Sequence, residues 1–193
     1  DRVFIVGSMD GSKIKNLETI CAPENDLLSN SKLRWRTVSN GLNNLPKIGD
    51  SSISNHTGRK HSQRIIDRYQ SMKFGQRDSK TRINKLDPNR PSFAIIVGSD
   101  KGGGKGHIHP HEPREVTPRE SARMQCFPDW WEFSGTSRHP IRQIGNAVPC
   151  LMGAAVGRAI LNDIFKESSN SYFAIINMLN QDHLFSHEEL KLL

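Results

Sequence analysis

Three kinds of side chain in this sequence could do chemistry. The first sits in Gly102-Gly103-Gly104-Lys105-Gly106, which has the composition of a phosphate-cradling loop. It fails the Walker pattern: Ser99 stands where the first glycine belongs, and Lys105 is followed by Gly106 instead of Ser or Thr. No helical pattern follows it, so the dinucleotide fingerprint fails as well. What remains is a loop whose missing Cβ atoms let backbone approach another surface closely. Its flanking Lys101 and Lys105 make that expected surface a phosphate-bearing one. The second kind is His107-Ile108-His109-Pro110-His111, which places three imidazoles on one face of an extended segment. That geometry could hold a metal ion, but no cysteine or carboxylate set of ligand spacing accompanies it. The expectation is a polar strand edge or loop beside nucleic acid, with no metal site assigned. The third kind is thiol. Pro149-Cys150 has the look of a nucleophile pair, yet Leu151-Met152 follow, and a buried inert thiol is expected. Cys126 falls in a turn after a helix and Cys21 in a loop, and neither has a base or acid at a telling spacing.

The elements that would position these groups read as follows. Val3-Phe4-Ile5-Val6 is an apolar β-forming run ended by Gly7, the pattern of a strand buried on both faces of a parallel-type sheet. Residues 8–56 are rich in Ser, Asn, Gly and Pro and predict loops with short strands or turns, with Trp35 and Val38 anchoring a small cluster. Ile65, Ile66, Tyr69 and Met72 recur at helical spacing, with basic residues opposite, and predict an amphipathic helix over 59–72. Phe93 to Val97 is a second β run. Thr117-Pro118-Arg119-Glu120 is a helix start with a capping box, predicted to run to about Gln125. A mostly buried helix is predicted from near Asn146 to about Phe165, and two more around Tyr172–Leu179 and Ser186–Leu192.

The chain has 193 residues and a net charge of +7. Residues 59–105 hold twelve Lys/Arg against four Asp/Glu; the rest hold fifteen against sixteen. The whole positive excess therefore lies in one central stretch, the footprint of a polyanion partner, because neutralised phosphates release condensed counterions. A solvated basic face is the bland alternative. No run of 18 apolar residues predicts a membrane span. The first residues lack the shape of a secretory signal. Three scattered cysteines give no disulfide framework and no zinc spacing, so a reducing, cytoplasmic setting is expected.

Long segments of the chain resemble the DNA (cytosine-5) methyltransferase family. Arg114 to Asp129, REVTPRESARMQCFPD, looks like that family's motif IX, TPREAARLQGFPD, with Cys126 in place of its usual glycine. Arg142 to Pro149, RQIGNAVP, looks like motif X. Asp1 to Gly7 looks like the tail of motif VIII, where a QxRxR run enters a strand. Leu86 to Ser92, Gly102 to Gly104 and His107 to Pro110 resemble the stretch before motif IX. About half the chain is covered, and residues 8–56 are not.

The resemblance implies the C-terminal, DNA-recognising part of such an enzyme, of prokaryotic type and from a restriction-modification system. The implied fold is α+β. It comprises a target-recognition domain of mixed strands and loops, plus C-terminal helices that pack on a Rossmann-like methyltransferase domain supplied elsewhere. The implied division is an edge strand of the catalytic domain at 1–8 and the recognition domain at 9–140. A motif X segment and returning helix follow at 141–166, then a helical tail at 167–193. Implied duplex contacts come from Arg82, Lys85, Arg90, Lys101, Gly102, Gly103, Gly104 and Lys105. Arg2 matches the motif VIII arginine that meets the extruded cytosine. Asn146, Ala147 and Val148 match the segment beside S-adenosylmethionine. Arg119, Glu120 and Arg123 would organise the recognition domain through buried hydrogen bonds and ion pairs. In the family a Cys thiolate attacks C6, a Glu assists at N3, and C5 accepts the methyl group. The FxGxG loop, the Pro-Cys-Gln nucleophile and the Glu-Asn-Val motif do not occur in these residues. The expectation is therefore activity only with an N-terminal catalytic half, on a separate chain or lost by truncation. A catalytically inert DNA-binding module and a purely structural protein are the competing classes.

Overall fold

The structure is a computed structural model, and it describes residues 3–14, 21–22, 33–34, 36–97, 104–136 and 138–166. The chain forms two compact units. One is Trp35–Pro149; the other combines Asp1–Arg34 with Cys150–Leu193. The helices predicted around Tyr172–Leu179 and Ser186–Leu192 lie outside the described residues.

Among its described residues, the central unit is built from four short helices and a set of single bridges instead of long strands. Helix α1, Val38–Leu42, starts on a reciprocal cap in which the Asn40 amide donates to Thr37 Oγ1 and the Thr37 amide to Asn40 Oδ1. Helix α2, Gln63–Ser71, occupies most of the predicted 59–72 span and buries Tyr69. Its start is later than predicted because Arg59 pairs with Glu115 instead, at 2.9 Å. Helix α3, Pro118–Met124, has the predicted cap: the Thr117 amide donates to Glu120 Oε2 at 2.7 Å, and the Glu120 amide to Thr117 Oγ1 at 3.1 Å. Helix α4 is His139–Asn146.

Ile108 is the hub of the unit. It bridges Lys85 on one side in parallel and Glu115 on the other in antiparallel, while Lys105 bridges Ile96. The predicted strand over Phe93–Val97 is thus a single bridge. Two apolar clusters hang on this hub. Ile108 joins Tyr69, Met72 and Ile83, and Val38 joins Leu86 and Val116. Val38 therefore anchors a cluster, as expected. Next to them, Gly75 to Lys85 folds back as a tight hairpin, in which the Gly75 amide donates to Lys85 O at 2.8 Å and the Asp78 amide to Ile83 O at 2.7 Å.

Helix α3 ends in a complete Schellman motif. The Phe127 amide donates to Ala122 O at 3.0 Å and the Cys126 amide to Arg123 O at 2.9 Å. Cys126 is the left-handed residue this motif requires, with φ +59°. Its Cβ makes that conformation costly, which is why glycine suits the position. Cys126→Gly is expected to raise stability by about 0.5–1 kcal/mol, the relief of strain less the added unfolded-state entropy. Urea midpoints of the two proteins check this; a lower midpoint for the glycine variant refutes it.

In the other unit, strands β1 (Cys21–Ala22) and β2 (Leu33–Arg34) pair in parallel, with Cys21 opposite Leu33. Three expectations are corrected. Val3 to Val6 form no strand, and Val3 and Ile5 are 87% and 93% exposed, because no neighbouring strand pairs with them among the described residues. The helix predicted from Asn146 begins at Cys150: α5 is Cys150–Ile160, continued by one π turn over Leu161–Phe165. It buries none of its residues, so Cys150 is half-buried instead of enclosed. Finally, residues His139–Phe165 do reach the length and apolarity of a membrane span. The backbone is extended at Ala147 (ψ 153°), which ends α4, and Pro149 follows, so the stretch divides into α4 and the longer Cys150–Phe165 segment, each short of the ~20 residues a bilayer needs.

Candidate functional site

The segment from Arg114 to Phe133 is held by buried arginines, not by apolar packing alone. Arg119 is fully buried. Its Nε donates to Ser54 O at 3.0 Å, one terminal nitrogen to Pro128 O at 3.0 Å, and the other to Ser54 Oγ at 2.9 Å and to Trp131 O. One planar fork therefore ties α3 to the 54–55 turn and to the loop beyond α3. Arg123 grips Asp129 through both Nε and a terminal nitrogen and donates to Asn43 O at 2.6 Å. Arg114 lies between two carboxylates, 2.7 Å from Glu120 Oε1 and 2.8 Å from Glu112 Oε2. Burial alone would lower its pKa, but the hydrogen bonds to Glu120 and Glu112 outweigh that and hold the guanidinium firmly charged.

The three imidazoles of the 107–111 segment do not converge. His107 Nδ1 accepts from the Asn84 amide at 3.2 Å, so Nε2–H donates to Ala94 O at 3.0 Å. His109 Nδ1 accepts from the amides of His111 and Glu112 at 3.2 and 3.1 Å. His111 packs edge-on against Phe74. The His109 and His111 rings also meet edge-on, 6.2 Å between centroids, while His107 is held apart by its own bonds to Asn84 and Ala94. Between His109, Arg114 and the Leu42–Ile48 loop lies a cleft of about 360 Å³. Its two glutamates, Glu112 and Glu120, pair with Arg114, and Lys47 also lines it.

Burial holds the pKa of His107 below the ordinary imidazole value, and burial together with Arg114 does the same for His109. His61 is lowered too, again mainly by burial. The unfolded chain therefore binds more protons than the folded one once pH drops through the unfolded value of about 6.5. Stability is expected to be full above that pH and to decline toward pH 5. The lowered carboxylates Glu112 and Asp78 add their losses only at more acid pH. Urea midpoints at pH 7.5 and pH 5 check this; an equal or higher midpoint at pH 5 refutes it.

The central basic stretch divides sharply. Arg59 pairs with Glu115, and Arg68 Nε lies 3.0 Å from Asp78 Oδ1. Lys85 is buried, its Nζ donating to Tyr69 O at 3.0 Å at the end of α2. Lys60, Arg64, Lys73, Arg77, Lys80, Arg82 and Arg90 are exposed, and Lys105 is half-buried. Lys73, Arg77, Lys80 and Arg82 gather along one hairpin, whose turn is closed by the Arg82 amide on Asp78 O at 2.8 Å. Sequence reasoning named only Arg82 of these four. The signal it passed over was the Asp78-Ser79-Lys80-Thr81 turn, where the Thr81 amide and hydroxyl both donate to Asp78 Oδ2. Arg82 itself adopts φ +62°, unusual for its type.

Gly104 is buried, and a Cβ there would lie 2.6 Å from Ile141 Cγ2 and 2.9 Å from the Arg142 nitrogen. Its close approach is to α4 of its own unit. Asn146 is exposed at the end of α4, Ala147 is extended, and Val148 is 37% exposed. An amide able to donate and accept, beside an apolar side chain, fits one rim of a ligand such as S-adenosylmethionine, which carries both polar and apolar parts. Arg2, Lys101, Gly102 and Gly103 lie outside the described residues.

The sequence model of the C-5 cytosine-specific DNA methylase family matches residues 1–162. The chain belongs to this family. Among curated relatives, the type II methyltransferase M.XorII of Xanthomonas oryzae pv. oryzae is 41% identical over 91 residues, covering 45% of this chain and 22% of M.XorII. The type II methyltransferase M.AquIB of Picosynechococcus is 34% identical over 130 residues, covering 58% of this chain and 91% of M.AquIB. A solved structure of a DNA modification methyltransferase encoded within an E. coli prophage has 39% identity and a TM-score of 0.52. That match covers 60% of this methylase-family chain and 30% of the prophage protein. This chain thus spans about a fifth of M.XorII and nearly all of M.AquIB.

Proposed function

We propose that the chain is the C-terminal, DNA-recognising part of a DNA (cytosine-5) methyltransferase of restriction-modification type. In this reading it acts inside the cell on duplex DNA and depends on a catalytic half that carries the nucleophile. The observation that carries the proposal is the clustering of seven exposed cations within residues 60–90, in a family member whose 193 residues contain no Pro-Cys-Gln, FxGxG or Glu-Asn-Val motif. M.AquIB adds support, since nine-tenths of it lies within the match.

Duplex contacts are assigned to Arg82, Arg90, Lys101 and Lys105, joined by Lys73, Arg77 and Lys80. Gly102 and Gly103 let the loop approach the duplex closely. Lys85 and Gly104 support that surface from inside. Arg2 would meet the extruded cytosine, whose C5 and C6 are out of reach within the stack. Asn146, Ala147 and Val148 would form one rim of the cofactor site, the rest coming from the catalytic half. S-adenosylmethionine, when bound, supplies the electrophilic methyl group. This chain's own part is to hold the duplex in register with that centre.

The test mixes the chain with a methyltransferase half bearing Pro-Cys-Gln and FxGxG and follows labelled methyl into duplex DNA of mixed sequence. Transfer is expected only when both are present. With both folded, no transfer on any duplex but salt-dependent DNA binding by this chain alone establishes the inert DNA-binding module instead. Neither transfer nor binding overturns both readings.

A further inference from the structure

Helix α4 packs against both described stretches that flank residues 98–103. These stems are Ile95 to Val97 and Gly104-Lys105. A Cβ on Gly145 would lie 2.7 Å from Val97 Cγ2 and 3.2 Å from Ile95 Cγ2. A Cβ on Gly104 would meet Ile141 and the Arg142 backbone nitrogen inside 3 Å. Contacts this short do not exist for real side chains in close-packed interiors, so both glycines are required for the helix and the stems to meet. The same face of α4 is anchored further. Ile141 and Ile144 are buried, and Gln125 Nε2 donates to Ile144 O at 3.2 Å. Helix α4 therefore has a packed or hydrogen-bonded partner at each stem and on α3.

That arrangement leaves the stems no slack that does not also move α4. Asn146, Ala147 and Val148 sit at the C-terminal end of the same helix, only one residue beyond Gly145. We infer that Gly104 and Gly145 are positioning residues that lock the Ile95–Val97 and Gly104-Lys105 stretches to the Asn146–Val148 segment, so that duplex held at Lys105 also orders the rim assigned to the cofactor. This rests on the proposed function above. It adds a mechanical link between its two sites that neither site requires by itself.

The test uses the full chain with a duplex oligonucleotide and reads amide hydrogen exchange over residues 141–149. Duplex is expected to slow that exchange about fivefold or more in the wild type, the lower end of typical coupling between sites. Gly145→Ala is expected to abolish the slowing while duplex still binds through the exposed cations. Adding Val97→Ala removes the Cγ2 atom that the new Cβ would strike and is expected to restore it. The wild-type measurement stands even if Gly145→Ala fails to fold. If duplex binds but exchange over 141–149 is unchanged in the wild type, the inference is overturned and the functional reading survives. If no duplex binds at all, the functional reading fails and takes this inference with it.

Discussion

Replacing Arg119 by methionine is expected to unfold the central unit near room temperature or to lower its stability by at least about 3–5 kcal/mol, the range for stranding partners of a buried charge. The side chain is wholly buried and donates to three carbonyls and one hydroxyl. Methionine fills a similar volume but donates nothing. Pro128 O would then be a buried acceptor without a donor, costing about 1–3 kcal/mol, while the part-buried Ser54 O and Trp131 O would lose donors that water replaces only in part. Against a total stability of about 5–15 kcal/mol, such a loss decides whether the unit folds. Arg119→Lys separates charge from geometry. One ammonium cannot span the fork, so an intermediate loss is expected. Urea unfolding of the full chain, followed by Trp fluorescence, reads all three proteins. A midpoint for Arg119→Met that converts to less than about 1 kcal/mol of loss would show the guanidinium to be dispensable.

The features legible in the sequence are those with local causes. Thr117, Pro118 and Glu120 specify the start of α3 within four residues, and the structure forms that cap bond for bond. The amphipathic spacing around Tyr69 gave α2 for the same reason. Helix α4 is harder to read because its start carries only Pro140 in the first turn: Arg138 at its N-cap makes no side-chain capping bond. What fixes α4 is contact with Gly104, Val97 and Gln125, all distant in sequence. Lys85 shows the same limit for a site residue. Composition counts it as one more cation, whereas its partner is a carbonyl sixteen positions earlier, at Tyr69. Cys126 is the reverse case. The sequence shows only that cysteine replaces a glycine; the left-handed φ supplies the reason glycine is preferred there. The arginines of motif IX were legible as structural, because buried forks need several acceptors and FPD supplies a carboxylate nearby.

Neutralising the 73–85 hairpin is expected to give the largest loss of DNA binding that leaves the fold intact. Arg77, Lys80 and Arg82 are exposed, and no carboxylate pairs with them among the described residues, so their charge is available to phosphate. Arg59 offers the internal comparison, since Glu115 already neutralises it at 2.9 Å. Arg82 should become asparagine, the side-chain-bearing residue that best tolerates its φ of +62°. Arg77 and Lys80 become glutamine. Each phosphate contact contributes about 0.9 to the slope of log affinity against log salt, so three lost contacts should shallow it by roughly 2.7 units. Over a fourfold change in salt that is roughly a 40-fold difference in how far binding weakens. Arg59→Gln, by contrast, should leave the slope nearly unchanged. Fluorescence anisotropy with a labelled duplex from 50 to 200 mM salt separates the two. Equal slopes for wild type and triple variant would move the DNA contact off this hairpin, to Arg90, Lys105 or elsewhere. A steep slope lost only in the triple variant would mark the hairpin as the element that grips the backbone. Such contacts hold position without reading sequence, so base choice must come from other side chains of the same unit.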